Sequence, residues 1–207
     1  MTDEEIDDVP PPIVPGVARA LSPLVRRIAL DVGGEAGANT YLVGIDEIVV
    51  IDPGPDVADH RDAVAGCGGD RVRWIVCTGA VDSSGAAALA AATGAELMAV
   101  DGVGAEGATA TLAPGDTILG TEFRLTVLDA PGVAAPRACF FLEEERVVFA
   151  GDYLEVDPAP EVVDADAYVA MVTSLRRRRL RGIAPAAGHL IEDPQSRIDE
   201  IAAAAGG

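Results

Sequence analysis

Residues 71–97, RVRWIVCTGAVDSSGAAALAAATGAEL, constrain the fold more than any other stretch of the chain. An apolar run of strand length, RVRWIVC, enters a short turn and then a run of Ala, Gly and Leu that fits a helix ended by Gly94, before ELMAV returns as a strand. A buried strand running straight into a helix is the pattern of an open α/β fold. In such folds ligands sit beyond the carboxyl ends of the strands, so the turn from Thr78 to Ser84 is the first place to look for chemistry. It offers one carboxylate, Asp82, with the hydroxyls of Thr78, Ser83 and Ser84.

The same alternation extends along the chain. RRIALDV (26–32), NTYLVG (39–44) and EIVVID (47–52) read as strands close enough to pair antiparallel, the last ending at Pro53-Gly54-Pro55. VADHRDAVAGC (57–67) fits an amphipathic helix capped by Asp56, with His60 on its exposed side. In the second half TIL (117–119), FRLTVLDA (123–130), ACFFLE (138–143) and RVVFAGD (146–152) are β-like. DADAYVAMVTSL is helix-like, GIAPA strand-like, and a last helix opens at Asp193-Pro194. Gly102, Gly104 and Gly107 spell GxGxxG, but no helix follows them, so they are not read as a phosphate loop. Strands then helices, twice over, imply two packed sheets with helices outside.

Composition narrows the function classes. A formal net charge of -19 opposes binding to nucleic acid or to anionic membranes. The basic run Arg176–Arg179 with Arg181 follows a helix-like segment, where arginines complement the helix dipole, and no aromatic residue is interleaved with it. Residues 1–18 read as an extended acidic and Pro-rich arm, and residues 19–207 as a single domain. The acidic start carries neither a secretory signal nor a membrane span, so a cytoplasmic protein is expected. Cys67, Cys77 and Cys139 are odd in number and unpaired in spacing, which favours reduced thiols over a disulfide framework or zinc knuckle.

The order of NTYLVG, VVIDPGP, SGAAALAAATGA, L-x-PGD, LDAPG, CFFLEEERVVFAGD and IAPAAGHLIEDP resembles the metallo-β-lactamase-fold hydrolases, closest to the glyoxalase II-like and thioesterase- or nuclease-like branch. The resemblance covers nearly all of residues 20–200 and implies an α+β fold, an αββα sandwich of the metallo-β-lactamase type. It also implies a dinuclear metal centre, usually zinc, with ligands from a His-x-His-x-Asp-His turn, a His after Pro-Gly, the Asp of a Gly-Asp pair and a His near the end. Each ligand must donate a lone pair at about 2 Å.

On that pattern the first two histidine positions fall on Gly79 and Val81. The Asp-His pair falls on Ser83 and Ser84 without a gap, or on Asp82 and Ser83 with a one-residue deletion. The later histidine positions fall on Val133 and Ala187, with His189 two places on. Only Asp152 stands where the family puts its bridging carboxylate. Zinc chemistry is therefore expected to be absent, with no metal and no cofactor.

Asp52, Asp82, Asp129 and Asp152 fall at strand ends; the plain reading has Asp52 and Asp152 bonding local backbone. The turns after Asp52, Cys77, Asp129 and Asp152 should bound the cleft, whose lining is expected to be apolar. A Ser83 or Ser84 nucleophile with His189 lacks the G-x-S-x-G elbow, and helix-capping serines are common. Cys77 lies in an apolar run and reads as structural. Asp152, His189 and Asp82 remain the weak catalytic candidates. Three classes follow: a binding or regulatory module with a small molecule in the cleft; a hydrolase of esters or thioesters using a non-standard site; and a partner subunit, either self-associating or paired with an active relative.

Overall fold

The computed structural model describes residues 10–79 and 84–205. The first half of the chain builds a seven-stranded sheet in chain order. Strands β1 (Arg19–Ala20), β2 (Val25–Val32), β3 (Glu35–Val43) and β4 (Ile48–Ile51) pair antiparallel. Helix α1 (Ala58–Gly68) then crosses over to β5 (Val72–Val76), and α2 (Ser84–Thr93) to β6 (Glu96–Val100), with β7 (Ala110–Leu112) outermost; these strands run parallel.

The second sheet has the order β12-β11-β10-β9-β8. Strands β8 (Thr117–Leu119), β9 (Arg124–Asp129), β10 (Ala138–Leu142) and β11 (Val147–Gly151) form an antiparallel meander. After α3 (Ala165–Ser174), β12 (Gly182–Pro185) joins parallel to β11, and α4 (Pro194–Ala205) follows.

Every residue of β4, β10 and β11 is buried, as strands covered on both faces require. Alternate residues divide between two layers. Val49, Ile51, Phe140, Leu142 and Phe149 fill the space between the sheets, where Tyr41 meets Phe149 edge to face at 5.2 Å. Ile48, Val50 and Ile75 instead pack under α1 and α2, while Cys139, Phe141 and Val148 pack under α3 and α4. The result is the expected αββα sandwich. Among the described residues no helix is long and apolar enough to cross a membrane.

Local signals were read correctly at several ends. Asp193 Oδ1 accepts from Ser196 N at 3.0 Å, capping α4, and Gly94 leaves α2 at φ 73°. The basic run is engaged locally: Arg176 pairs with Asp199 on α4, and the Arg178 guanidinium lies 4.8 Å from the Phe141 ring centroid. The three cysteines are unpaired, with Cys77 and Cys139 buried.

Other readings need correction. The residue before α1 is Val57 with no side-chain cap, and Asp56 instead pairs with Arg61. His60 is not on the surface. It shares the inward face of α1 with Val64 and Gly68, at i, i+4 and i+8, and is only 4% exposed. Its Nε2 lies 2.8 Å from Thr40 Oγ1, so a hydrogen bond offsets part of the cost of burying the ring; burial also lowers its pKa. Strands β1 and β7 are too short to have been read from periodicity.

Two helical glycines give opposite expectations. A Cβ on Gly85 of α2 would lie 2.3 Å from Gly54 O, because the helix start is drawn onto the Gly54-Pro55 backbone, while a Cβ on Gly66 of α1 meets nothing within 4 Å. Gly85→Ala should destabilise the protein by about 1–3 kcal/mol, and Gly66→Ala should stabilise it by about 0.5–1 kcal/mol. Urea unfolding of both variants checks this, and shifts of the same sign would contradict the packing of α2 on the 54–55 turn.

Candidate functional site

The carboxyl ends of two of the parallel strand pairs, β4/β5 and β11/β12, meet at one cleft of about 180 Å³. The first sheet contributes Asp52 after β4 and Thr78-Gly79 after β5; the second contributes Gly151-Asp152 at the end of β11 and Ala186 after β12. Arg137, just before β10, closes the ring. Backbone bonds tie the sheets together here: Ala138 N donates to Thr78 O at 2.8 Å, and Gly79 and Arg137 form an isolated antiparallel bridge.

Asp52 leaves β4 in the left-handed region at φ 53°, which Asp and Asn tolerate better than most residues. That turn brings its carboxylate back to β5, where Oδ1 accepts from Thr78 N at 2.7 Å and Oδ2 from Thr78 Oγ1 at 2.8 Å. Loss of water around the carboxylate pushes its pKa up to about 6, with the Thr78 hydrogen bonds opposing the shift and the neighbouring Asp152 adding to it. Gly151, at φ 53°, lets the second sheet approach; a Cβ there would lie 2.3 Å from Thr78 Oγ1.

Asp152 does not bond local backbone. Arg137 grips it with both edges of the carboxylate engaged, Nε to Oδ1 at 2.6 Å and Nη2 to Oδ2 at 2.8 Å. The Arg137 side chain is 12% exposed and that of Asp152 46%, so the cation is the more deeply set partner. The hydrogen bonds to Asp152 raise the guanidinium's pKa further. Gly79 makes the grip possible: a Cβ at 79 would already lie 3.2 Å from Arg137 Cδ and Nε.

Of the positions singled out in the sequence, Asp52, Cys77, Gly79 and Asp152 line this cleft, whereas Val81, Asp82 and Ser83 lie outside the described residues. Ser84 is exposed at the start of α2, where its Oγ accepts from Asp56 N at 3.3 Å. Val133 bridges to Val162 and packs against the layer under α3 and α4. Ala187 bridges to Ala38 and, with His189, lines a separate hollow beside Glu155 and Arg197. Ser84 and His189 therefore do not share a cavity. Asp129 lines a shallow hollow near Arg178 rather than the cleft. Cys77 lines the cleft, but burial pushes its thiol pKa up, away from thiolate chemistry.

Sequence reasoning passed over Arg137 and Asn39. Arg137 carried a signal, a lone charge between Pro136 and the wholly apolar ACFFL run. Asn39 is 1% exposed; its Nδ2 donates to Tyr41 Oη, Pro185 O and Gly188 O, while its Oδ1 is buried with no partner among the described residues. The cleft lining exposes more apolar than polar surface, with Asp52, Arg137 and Asp152 as its charged residues.

This architecture, with its site at the strand ends, is the metallo-β-lactamase fold. Solved structures similar to the chain include a metallo-β-lactamase from Pontibacter korlensis, at 14% identity and a TM-score of 0.70, covering 92% of this chain and 99% of that one. A metallo-β-lactamase family protein from Thermus thermophilus matches at 19% identity and 0.73, covering 89% and 80%. A β-lactamase domain protein from Burkholderia ambifaria matches at 15% and 0.72, covering 96% and 75%. No family model and no curated protein sequence matches the chain. Among the described residues no three His, Cys, Asp or Glu side chains stand together as a metal ion would require.

The raised pKa of Asp52 has a signed consequence. A carboxyl that titrates higher in the folded state than in the unfolded chain contributes stability that is full below about pH 4 and is lost as pH rises through about 6. Asp52→Asn keeps the backbone preference and an acceptor for Thr78 N while removing the charge. Urea unfolding from pH 4 to pH 8 should show the variant gaining on the native chain as pH rises, and parallel curves would contradict the assignment.

Proposed function

We propose that this chain is a metallo-β-lactamase-fold protein without the zinc-binding histidines, a non-catalytic or metal-independent member whose cleft holds a small molecule. The observation that carries the reading is the Arg137 guanidinium, set over Gly79 and bonded through two nitrogens to Asp152. The carboxylate that stands where the family puts its bridging ligand is thus committed to an internal cation. Asp52 is likewise committed to Thr78 through both oxygens. The donors among the described residues do not fit a dinuclear centre, and no metal step is derived for this cleft.

A small-molecule role is supported by the cleft itself, where Asn39, Asp52, Thr78, Arg137 and Asp152 line one volume of about 180 Å³. The partner-subunit role, self-associating or paired with an active relative, stays within this proposal, as does the soluble cytoplasmic setting.

A second reading, hydrolysis of esters or thioesters, rests on the Thr78–Asp52 pair. Thr78 Oγ1 donates to a carboxylate whose pKa is near neutral, the arrangement of a hydroxyl nucleophile and its base. Turnover of acyl thioesters and aryl esters that is lost in Thr78→Val would favour it.

The metal-free reading is tested by elemental analysis of protein purified without chelators, alongside thermal unfolding with EDTA and with zinc. Zinc well below stoichiometric and a melting temperature indifferent to both additions are expected. Stoichiometric zinc, or a drop of several degrees with EDTA, would overturn it.

A further inference from the structure

A second cavity, of about 470 Å³, lies where β1 and β2 meet the loop after β12. It shares no lining residue with the cleft, so nothing about it rests on the function proposed above. Two arginines line it, Arg27 from β2 and Arg19 from β1, with His189 from the loop and Glu192 as the one acid among the lining residues.

Arg27 is the unusual member. It occupies an inward position of β2, between Val25 and Ala29 on the same face, and is 3% exposed. A guanidinium so deeply placed normally has a carboxylate or phosphate partner, because removing its charge from water unpaired is costly. Among the described residues Arg27 forms no ion pair, and its one hydrogen bond is from Nη1 to Gly188 O at 3.0 Å. Arg27 lines the cavity, and its Nε and Nη2 have no hydrogen-bond partner among the described residues. Burial disfavours its charge and lowers its pKa, and Arg19 nearby adds to that effect.

Two arginines side by side on paired strands in a chain of net charge -19, one of them buried and with no acidic partner among the described residues, make a site suited to an anion. We propose that this cavity is an oxyanion site: Arg27 and Arg19, with His189 at the rim, bind a carboxylate or phosphate group. The Arg27 fork supplies two parallel N–H donors matched to two oxygens, Arg19 supplies further charge, and a ring nitrogen of His189 can supply a further donor at the mouth. The same chemistry has two sources. One is a small dissolved anion. The other is the chain's own carboxylates at Asp3, Glu4, Glu5, Asp7 and Asp8, which precede the cavity-lining Pro10 and Pro11 in the sequence.

The test titrates the full chain with inorganic phosphate while following the arginine Nε–Hε signals by NMR, in the native protein and in a variant with the five arm acids changed to Asn or Gln. A saturable response of the Arg27 signal in the native chain supports a dissolved-anion site. A response seen only in the arm variant supports the same site with the arm's carboxylates as its occupant. In whichever background responds, Arg19→Gln, at an exposed position that leaves the fold intact, should weaken phosphate about tenfold, the loss of one charge-assisted hydrogen bond. Arg27→Lys, which keeps the charge but not the fork, should weaken it as well. No response in either background, or a response that both substitutions leave unchanged, would overturn the proposal.

Discussion

The contact on which the cleft depends is the paired hydrogen bond from Arg137 to Asp152. Two parallel strand pairs, β4/β5 and β11/β12, point their carboxyl ends at the same small volume, and each delivers an aspartate, Asp52 and Asp152. Two carboxylates facing one another need a cation or must take up a proton. The chain meets that need with a side chain of its own. Arg137 neutralises Asp152 directly and offsets part of the strain on Asp52, whose pKa nevertheless stays raised because burial outweighs both Arg137 and the Thr78 hydrogen bonds. A bound dication would answer the same electrostatic requirement. On the reading proposed above, the guanidinium makes that dication unnecessary.

The pair is also a fastener between the sheets. Arg137 begins β10 in the second sheet and bridges through its backbone to Gly79 in the first, while Ala138 N reaches Thr78 O. Missing side chains are as important here as those present. Gly79 leaves room for the guanidinium, and Gly151 lets β11 come against Thr78. Gly79, just after β5, stands where the resemblance places a ligating histidine, and its missing side chain is the space into which Arg137 fits. Arg27, on β2, has no such partner among the described residues, and there the two arginines differ chiefly in whether a carboxylate faces them.

Much of the fold was legible because burial on both faces leaves unbroken apolar runs, as in IVVI, ACFFL and VVFAG, and because Gly94 and Asp193 mark helix ends by local chemistry. Short edge strands such as β1 and β7 leave no periodic trace. His60 was misread since α1 mixes Asp, His and Arg on most of its faces, so that its inward stripe is carried by one histidine, one valine and a glycine. The site was half legible. Asp52, Gly79 and Asp152 could be placed at strand ends from their local motifs. Arg137 could not be joined to them, because its partners lie in other strands and only the closing of the two sheets brings them together.

The account stands most directly on the strength of that one contact. A double-mutant cycle of Arg137→Met and Asp152→Asn, read as unfolding free energies in urea at pH 7, isolates it from the packing of each side chain. If the guanidinium is the cation the cleft requires, the coupling should exceed about 1 kcal/mol, with Arg137→Met the more damaging single change since it leaves two aspartates facing each other. Additivity within about 0.5 kcal/mol would contradict the account.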